Sequence, residues 1–295
     1  MKLASVTVDG VRRAGLVGET ERSITLLATA VDDVVRGAPP GERGEVLPLS
    51  EVRLESPLHR FNRDVLCTGW NYLDHFLESR GRREGQDPVA VPERPTFFTK
   101  GPDTVIGPTD PIAYDPALSV QWDYEAEIAL VIGRDGRNIP EEKALDHVFG
   151  FLVANDVSQR DLQRAHGGQW LKGKSIDRTM PLGPWVTRTD SVDLTAMQVQ
   201  CEVNGQLLQN ASSAQMAFSF ARIIAELSRG MTLRAGDVVL TGTPSGIGSA
   251  RDPQLFLCDG DLVVTRASGL GELRNTVTLT DLSREGEGAE PRGEQ

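Results

Sequence analysis

The stretch Val120–Ile132, V-Q-W-D-Y-E-A-E-I-A-L-V-I, constrains the chain more than any other. Read as a β-strand, its side chains alternate between two faces. Trp122, Tyr124, Ala126, Ile128, Leu130 and Ile132 fall on one face and make a core surface, while Asp123, Glu125 and Glu127 fall on the other. Neighbouring like charges on one strand face repel. A strand this apolar does not belong at an exposed edge, so the acidic row calls for a cation, and a divalent metal is the economical one. A solvated acidic face is the alternative, and the strand alone leaves both open.

The other polar residues of interest sit where elements end. Asp64–Gly69 reads as a short buried strand, followed by Asn71–Glu78, which as a helix puts His75 and Glu78 on one face. An imidazole beside a carboxylate is the minimum equipment for activating water, and it is also a common surface pair. The polar Ser79–Pro95 segment reads as a mobile surface loop in the place of a lid, and Thr96–Lys100 as a strand ending in a lysine. Phe149–Ala154 is a strand that leads through Asn155 and Asp156 into a helix over Ser158–Ala165. On that helix Arg160 and Gln163 share a face, and with Asp156 they suit an anionic, oxygen-rich ligand. Gly168…Gly173-Lys174-Ser175 matches the spacing of a phosphate-binding loop, but its Gln-Trp-Leu-Lys interior is a poor cradle and no βαβ unit precedes it. Pro140–His147 reads as a short helix, Met180–Val186 as a rigid loop entering a strand, and Met197–Val203 and Gln206–Gln209 as a hairpin turned by Asn204-Gly205. Ala214–Arg229 is the best helix by pattern, Val238–Thr241 is a strand, and the turn from Thr243 to Gly248 offers Thr243 and bare backbone N–H groups to an anion. Leu262–Ala267 and Thr276–Thr280 are the closing strands.

The N-terminal part is a small β-rich unit of short alternating runs, Ser5–Val8, Arg13–Val17 and Ser23–Leu27, the first two joined by Asp9-Gly10, with a helical turn at Val31–Arg36. It carries no catalytic grouping. The division expected is an N-terminal subdomain over 1–60, a catalytic domain over 61–283 and a disordered, charged tail over 284–295.

A formal net charge of -11 argues against binding nucleic acid or an anionic membrane, and no apolar run approaches a bilayer span. Cys67, Cys201 and Cys258 are widely spaced and form no CxxC pair, which predicts reduced core residues in a cytoplasmic protein.

The ordered set Asn71-Tyr72…His75…Glu78, Asp123-Tyr124-Glu125-Ala126-Glu127, Asn155-Asp156-Val157-Ser158-Gln159-Arg160-Asp161, Gly173-Lys174-Ser175, Pro181-Leu182-Gly183-Pro184, Val203-Asn204-Gly205 and Leu240 to Gly248 resembles the fumarylacetoacetate hydrolase family over about residues 61–280. The resemblance implies a β-rich α+β fold, a mixed β-sandwich roll, in a homodimer. It implies Mg²⁺ or Mn²⁺ held by Glu125, Glu127 and Asp156, with Asp123 left out of the ligand set; an all-oxygen site suits these hard ions. The implied reaction is hydrolysis of a C–C bond in a β-diketo acid or acylpyruvate through an enolate. Lys100, Arg160, Gln163 and Thr243 then grip substrate oxygens, Lys174 donates a proton or stabilises charge, and His75, oriented by Glu78, activates water. Oxaloacetate-type decarboxylation, hydroxymuconate-type isomerisation and sugar-acid dehydration or lyase chemistry are the alternatives on the same platform. The His75–Glu78 pair favours hydrolysis, because isomerisation needs no activated water.

Overall fold

The computed structural model describes residues 1–81 and 90–283, so the centre of the expected lid loop and the tail from residue 284 lie outside the described residues. Among the described residues the chain is β-rich with few helices, and two large sheets pack over a common core. The main sheet runs in the spatial order Arg43–Pro48, Ser23–Leu27, Val11–Val17, Lys2–Val8, Met180–Arg188, Val148–Asn155, Ala126–Ile132, Val238–Leu240, Val65–Gly69 and Thr96–Lys100. The second runs Gln206–Ser212, Gln198–Val203, Leu262–Ala267, Gly271–Leu279 and Ile112–Tyr114. This is the mixed β-sandwich roll expected from the sequence.

The acidic strand lies at the centre of the main sheet, between Val148–Asn155 and Val238–Leu240. Ala126, Ile128, Leu130 and Ile132 pack into the core shared with the second sheet, and Ala129 and Val131 into a second core on the opposite face. The acidic face therefore becomes apolar past Glu127, and a solvated face is excluded because Glu125 and Glu127 are only 4% and 1% exposed.

Pairing Lys2 with Thr187 and Leu3 with Val186 joins the N-terminal strands to the main sheet. The turns behave as the sequence dictates: Asp9 and Gly10 have φ of 49° and 75°, and Asn204 and Gly205 have 52° and 79°, the left-handed pairs that a two-residue hairpin turn requires.

Several elements differ from expectation for identifiable reasons. The long strand is broken into Trp122–Asp123 and Ala126–Ile132, because the Glu125 N–H donates to the Asn155 Oδ1 (3.0 Å) in place of a ladder partner. Trp122–Asp123 pairs instead with Ser158–Gln159, which delays the following helix to Arg160–Ala165. The helix expected over Ala214–Arg229 covers only Phe220–Leu227. Asn71 captures the preceding backbone, its carbonyl accepting from Ala217 N–H (2.7 Å) and its Oδ1 from Phe218 N–H (2.8 Å), and Ser219 caps the shortened helix. Met180–Val186 is strand rather than loop; its pairing skips between Phe151 and Val153, which accommodates Pro184 without an N–H to offer. Cys67 and Cys201 are buried, but Cys258 is exposed, on the loop before Leu262–Ala267. Among the described residues no helix is long and apolar enough to cross a membrane.

Candidate metal centre

Register brings the carboxylates together. Ala126 faces Asn155 and Glu127 faces Ala154 across the ladder, so Asp156 emerges beside Glu125 at the end of the partner strand. The Asp156 N–H donates to the Glu125 carbonyl at 2.9 Å and locks that placement. Glu125, Glu127 and Asp156 each present an oxygen within 4.8 Å of the others, and all three are buried.

The cations around them are specific. Lys174 Nζ stands 2.7 Å from both Glu125 Oε2 and Asp156 Oδ2. Arg160 reaches Asp123 through Nε at 2.8 Å and Glu125 through a terminal nitrogen at 2.6 Å, while its other arm donates to Gln163 Oε1 at 3.0 Å. Lys100, expected to touch substrate, is fully buried behind Asp156: its Nζ donates to Asp156 Oδ1 (2.9 Å) and the Val157 carbonyl (2.8 Å). Asp123, which shares the strand face, accepts from Arg160 and from the N–H groups of Gly248 (2.7 Å) and Ser249 (3.0 Å), so its oxygens point away from the triad's task.

These contacts split the titration of the two glutamates. Burial alone would raise the Glu125 carboxyl, but Lys174 and then Arg160 outweigh it and hold it below the ordinary carboxylate range. Glu127 is pushed well above that range by burial and by the charges of Asp156 and Glu125, against which Lys174 and the Gly242 N–H (2.7 Å) are insufficient. Burial opposes the Lys174 charge, yet Asp156 and Glu125 raise it; burial dominates at Lys100 and lowers it.

Four buried carboxylates, Asp123, Glu125, Glu127 and Asp156, thus face three buried cations, Lys100, Arg160 and Lys174. A divalent ion would turn that deficit into a single positive charge ready for an anionic ligand. Glu127, which pairs with no cation among the described residues, is the observation that fits the residues to a metal, and hard carboxylate oxygens suit Mg²⁺ or Mn²⁺.

A small open cavity borders this cluster, lined on its polar side by Glu125, Glu127, Arg160, Gln163, Lys174 and Thr243. His75 lines it too, with Nδ1 2.9 Å from Glu78 Oε1. Glu78 Oε2 accepts the Gly246 N–H at 2.8 Å. Thr243 is held from below, donating to the Ala126 carbonyl (3.0 Å) and accepting from Gln209 Nε2 (2.8 Å). Residues around 166–172 were expected to form part of the pocket wall, and Trp170 does so; Gln209, whose Oε1 also satisfies the Ala126 N–H (2.9 Å), and the aromatic rings of Trp70 and Phe98 carry no signal in the sequence.

The glycine-rich turn was expected to offer its amides to a ligand. Its Gly242, Gly246, Gly248 and Ser249 amides are given instead to Glu127, Glu78 and Asp123, so the turn orients the site's own carboxylates. A Cβ at Gly248 would lie 1.8 Å from the Leu255 carbonyl oxygen and 2.8 Å from Asp123 Oδ1. Gly248→Ala is expected to cost about 3 kcal/mol or more of stability through overpacking. Thermal denaturation checks it, and an unchanged midpoint would refute the close fit.

A buried carboxylate triad flanked by two lysines and an arginine is a set of residues that could hold a divalent metal ion. Residues 64–278 match the family model described as fumarylacetoacetate (FAA) hydrolase, C-terminal. The chain belongs to the fumarylacetoacetate hydrolase family. It is 41% identical over 230 residues to oxaloacetate tautomerase YisK of Bacillus subtilis (strain 168), covering 78% of this chain and 74% of the relative. It is 43% identical over 234 residues to a mitochondrial oxaloacetate tautomerase of Xenopus laevis, covering 79% and 70%. Among solved structures, a fumarylacetoacetate hydrolase from psychrophilic Exiguobacterium antarcticum superposes with a TM-score of 0.84 at 36% identity, covering 95% of this chain and all (100%) of that one. A 5-carboxymethyl-2-hydroxymuconate delta-isomerase from Mycobacterium smegmatis gives 0.78 at 31%, with the same coverage.

Proposed function

We propose that this protein is a Mg²⁺- or Mn²⁺-dependent keto–enol tautomerase of a short 2-oxo acid of the oxaloacetate type, working as a homodimer. The supporting observation is that Glu125 and Glu127 of the buried Glu125–Glu127–Asp156 cluster line one small cavity together with His75, in a chain 41% identical to an oxaloacetate tautomerase.

Glu125, Glu127 and Asp156 would hold the ion. When bound it supplies Lewis-acid polarisation of the 2-oxo oxygen and so favours the enolate form. The protein's own groups handle the rest. Lys174, with its raised pKa, keeps its charge and stabilises negative charge that develops on substrate oxygen. Arg160 and Gln163 form a linked pair on the cavity wall and orient a carboxylate. With Nδ1–H donating to Glu78 Oε1, His75 would present Nε2 as its basic nitrogen. That nitrogen would take the proton from C3 of the keto form, the enolate oxygen would take a proton from solvent to give the enol, and the imidazolium would release its own to solvent; the reverse direction retraces these transfers.

The same Nε2 would deprotonate water, which is the observation favouring the second reading, hydrolysis of an acylpyruvate. One panel separates them: oxaloacetate, acetylpyruvate and fumarylpyruvate with and without Mg²⁺, following enol absorbance and product acids. Tautomerisation of oxaloacetate without C–C cleavage supports the first reading, release of pyruvate from the acylpyruvates supports the second, and neither activity defeats both. His75→Ala should lower the metal-dependent turnover about 10²–10⁴-fold, the span of general acid–base catalysis. Glu78→Gln should lower it less, because Gln can still accept from Nδ1–H. Turnover untouched by His75→Ala would remove the proton-transfer assignment.

A further inference from the structure

The aromatic side of the cavity is built as closely as the polar side. Trp170 lies over Gly69, the bare last residue of the strand Val65–Gly69; a Cβ there would stand 2.6 Å from Trp170 Cζ3 and 2.9 Å from Cη2. Its ring meets Phe98 edge-on at 5.0 Å and Trp70 at 5.7 Å between centroids. Phe98 in turn lies 5.2 Å from Lys174 Nζ, so the wall begins directly beside the ammonium that bridges Glu125 and Asp156. The segment carrying Trp170 is pinned at both ends. Arg160 and Gln163 start it, Lys174 ends it, and a Cβ on Gly173 would meet Gln163 Cγ at 2.4 Å and its backbone nitrogen at 2.5 Å. A ring held between a glycine, two aromatic edges and a clamped backbone has little room to swing away.

We infer that Trp170 is the specificity-determining residue of this site. A 2-oxo acid held by its oxygens at Lys174, Arg160 and the triad must extend along the aromatic wall, and Trp170 sets how far it can reach. The site then takes acids whose group beyond C3 is no larger than a carboxylate or a methyl ketone, and it excludes longer acylpyruvates. Gly69 is the complementary element, because only a residue without a side chain lets the indole lie flat at the strand end. This inference rests on the 2-oxo acid reading proposed above.

The test compares wild type, Trp170→Leu and Trp170→Ala on oxaloacetate, acetylpyruvate and hexanoylpyruvate with Mg²⁺. The ratio of kcat/KM for the long over the short substrates should rise about tenfold or more in both variants, the discrimination that pocket volume commonly gives. Trp170→Leu keeps an apolar plug and covers the case in which Trp170→Ala does not fold. Gly69→Ala should lower kcat/KM about tenfold when Trp170 is present and leave it nearly unchanged in the Trp170→Leu background, the signature of two residues acting through one contact. An unaltered length ratio, or an equal cost of Gly69→Ala in both backgrounds, overturns the inference. A binding arm separates it from the reading on which it rests: calorimetric titration of Mg²⁺-loaded protein with oxalate and with N-hexyl oxamate. Wild type should bind oxalate and reject N-hexyl oxamate by about tenfold or more, and Trp170→Leu should narrow that gap. Length selection in binding with no turnover of any 2-oxo acid would keep Trp170 in its role and discard the tautomerase. Turnover with no length selection would do the reverse.

Discussion

Glu127→Gln protein will bind Mg²⁺ more than about 100-fold more weakly than wild type, beyond what losing an outer hydrogen-bond partner of a metal site usually costs, yet its metal-free form will melt at a higher temperature. The two halves have one cause. Glu127 is 1% exposed, accepts the Gly242 backbone N–H, and shares its space with Glu125 and Asp156. Its partners Glu125 and Asp156 each own a lysine contact, and among the described residues it has none. In the absence of an ion its charge is a burden, and the isosteric amide removes that burden while still accepting from Gly242. In the presence of an ion the same charge is the ligand. The pH dependence follows from the raised pKa. Because the folded carboxyl holds its proton to a higher pH than the unfolded one, metal-free protein is favoured at low pH and loses that contribution as pH climbs from the ordinary carboxylate range through the raised value. A divalent ion must displace that proton, so the gain in melting temperature on adding Mg²⁺ should grow with pH across the same window and level off above it. Differential scanning calorimetry with Mg²⁺ or EDTA at several pH values, on wild type and Glu127→Gln, reads all of this. A variant that melts lower than wild type in EDTA, or a Mg²⁺ increment independent of pH, would show that Glu127 is not the uncompensated carboxylate.

Much of this site was legible in the residue order because its spacing is dictated by backbone geometry. Alternation along Val120–Ile132 put Asp123, Glu125 and Glu127 on the same side; the choice of Glu125 and Glu127 with Asp156 came from the family resemblance, and the strand register brings those three together. Helical spacing paired His75 with Glu78 and Arg160 with Gln163, and both pairs are hydrogen-bonded. What was not legible depends on contacts between distant segments. The side chain of Asn155 breaks the acidic strand, and Asn71 unwinds the first half of the helix expected over Ala214–Arg229 by bonding residues 217 and 218 from 146 and 147 positions away. No local pattern announces either. The amides of the turn from Thr243 to Gly248 were expected to meet an anion; those of Gly246 and Gly248 do, but the anions are the protein's own Glu78 and Asp123, which only the folded chain reveals.

Lys100 and Lys174 give the largest separation between alike residues. Both are buried and both touch Asp156, so sequence placed them together as substrate-gripping cations. Only Lys174 lines the cavity. Lys100 closes Asp156 from behind, with its remaining contact to the Val157 carbonyl. Removing either ammonium leaves a buried carboxylate short of its partner, and breaking a buried pair costs about 3–5 kcal/mol. Lys100→Met and Lys174→Met should therefore both destabilise the metal-free protein by that order. Their kinetics should part. Lys100→Met should weaken Mg²⁺ about 10–100-fold, the usual cost of an outer partner, through a loosened Asp156. At saturating Mg²⁺ its KM should stay near wild type, because no substrate atom meets Lys100. Lys174→Met should lower kcat about 10²–10³-fold at saturating Mg²⁺, the range seen when one donor to developing negative charge is lost. The physical difference is position: one lysine sets the geometry of a ligand, and the other meets the substrate's charge. Initial rates over a matrix of Mg²⁺ and substrate concentrations separate the two constants. A Lys100→Met enzyme with a raised KM at saturating metal would return Lys100 to the substrate, and a Lys174→Met enzyme rescued by excess Mg²⁺ would move Lys174 behind the ligands instead.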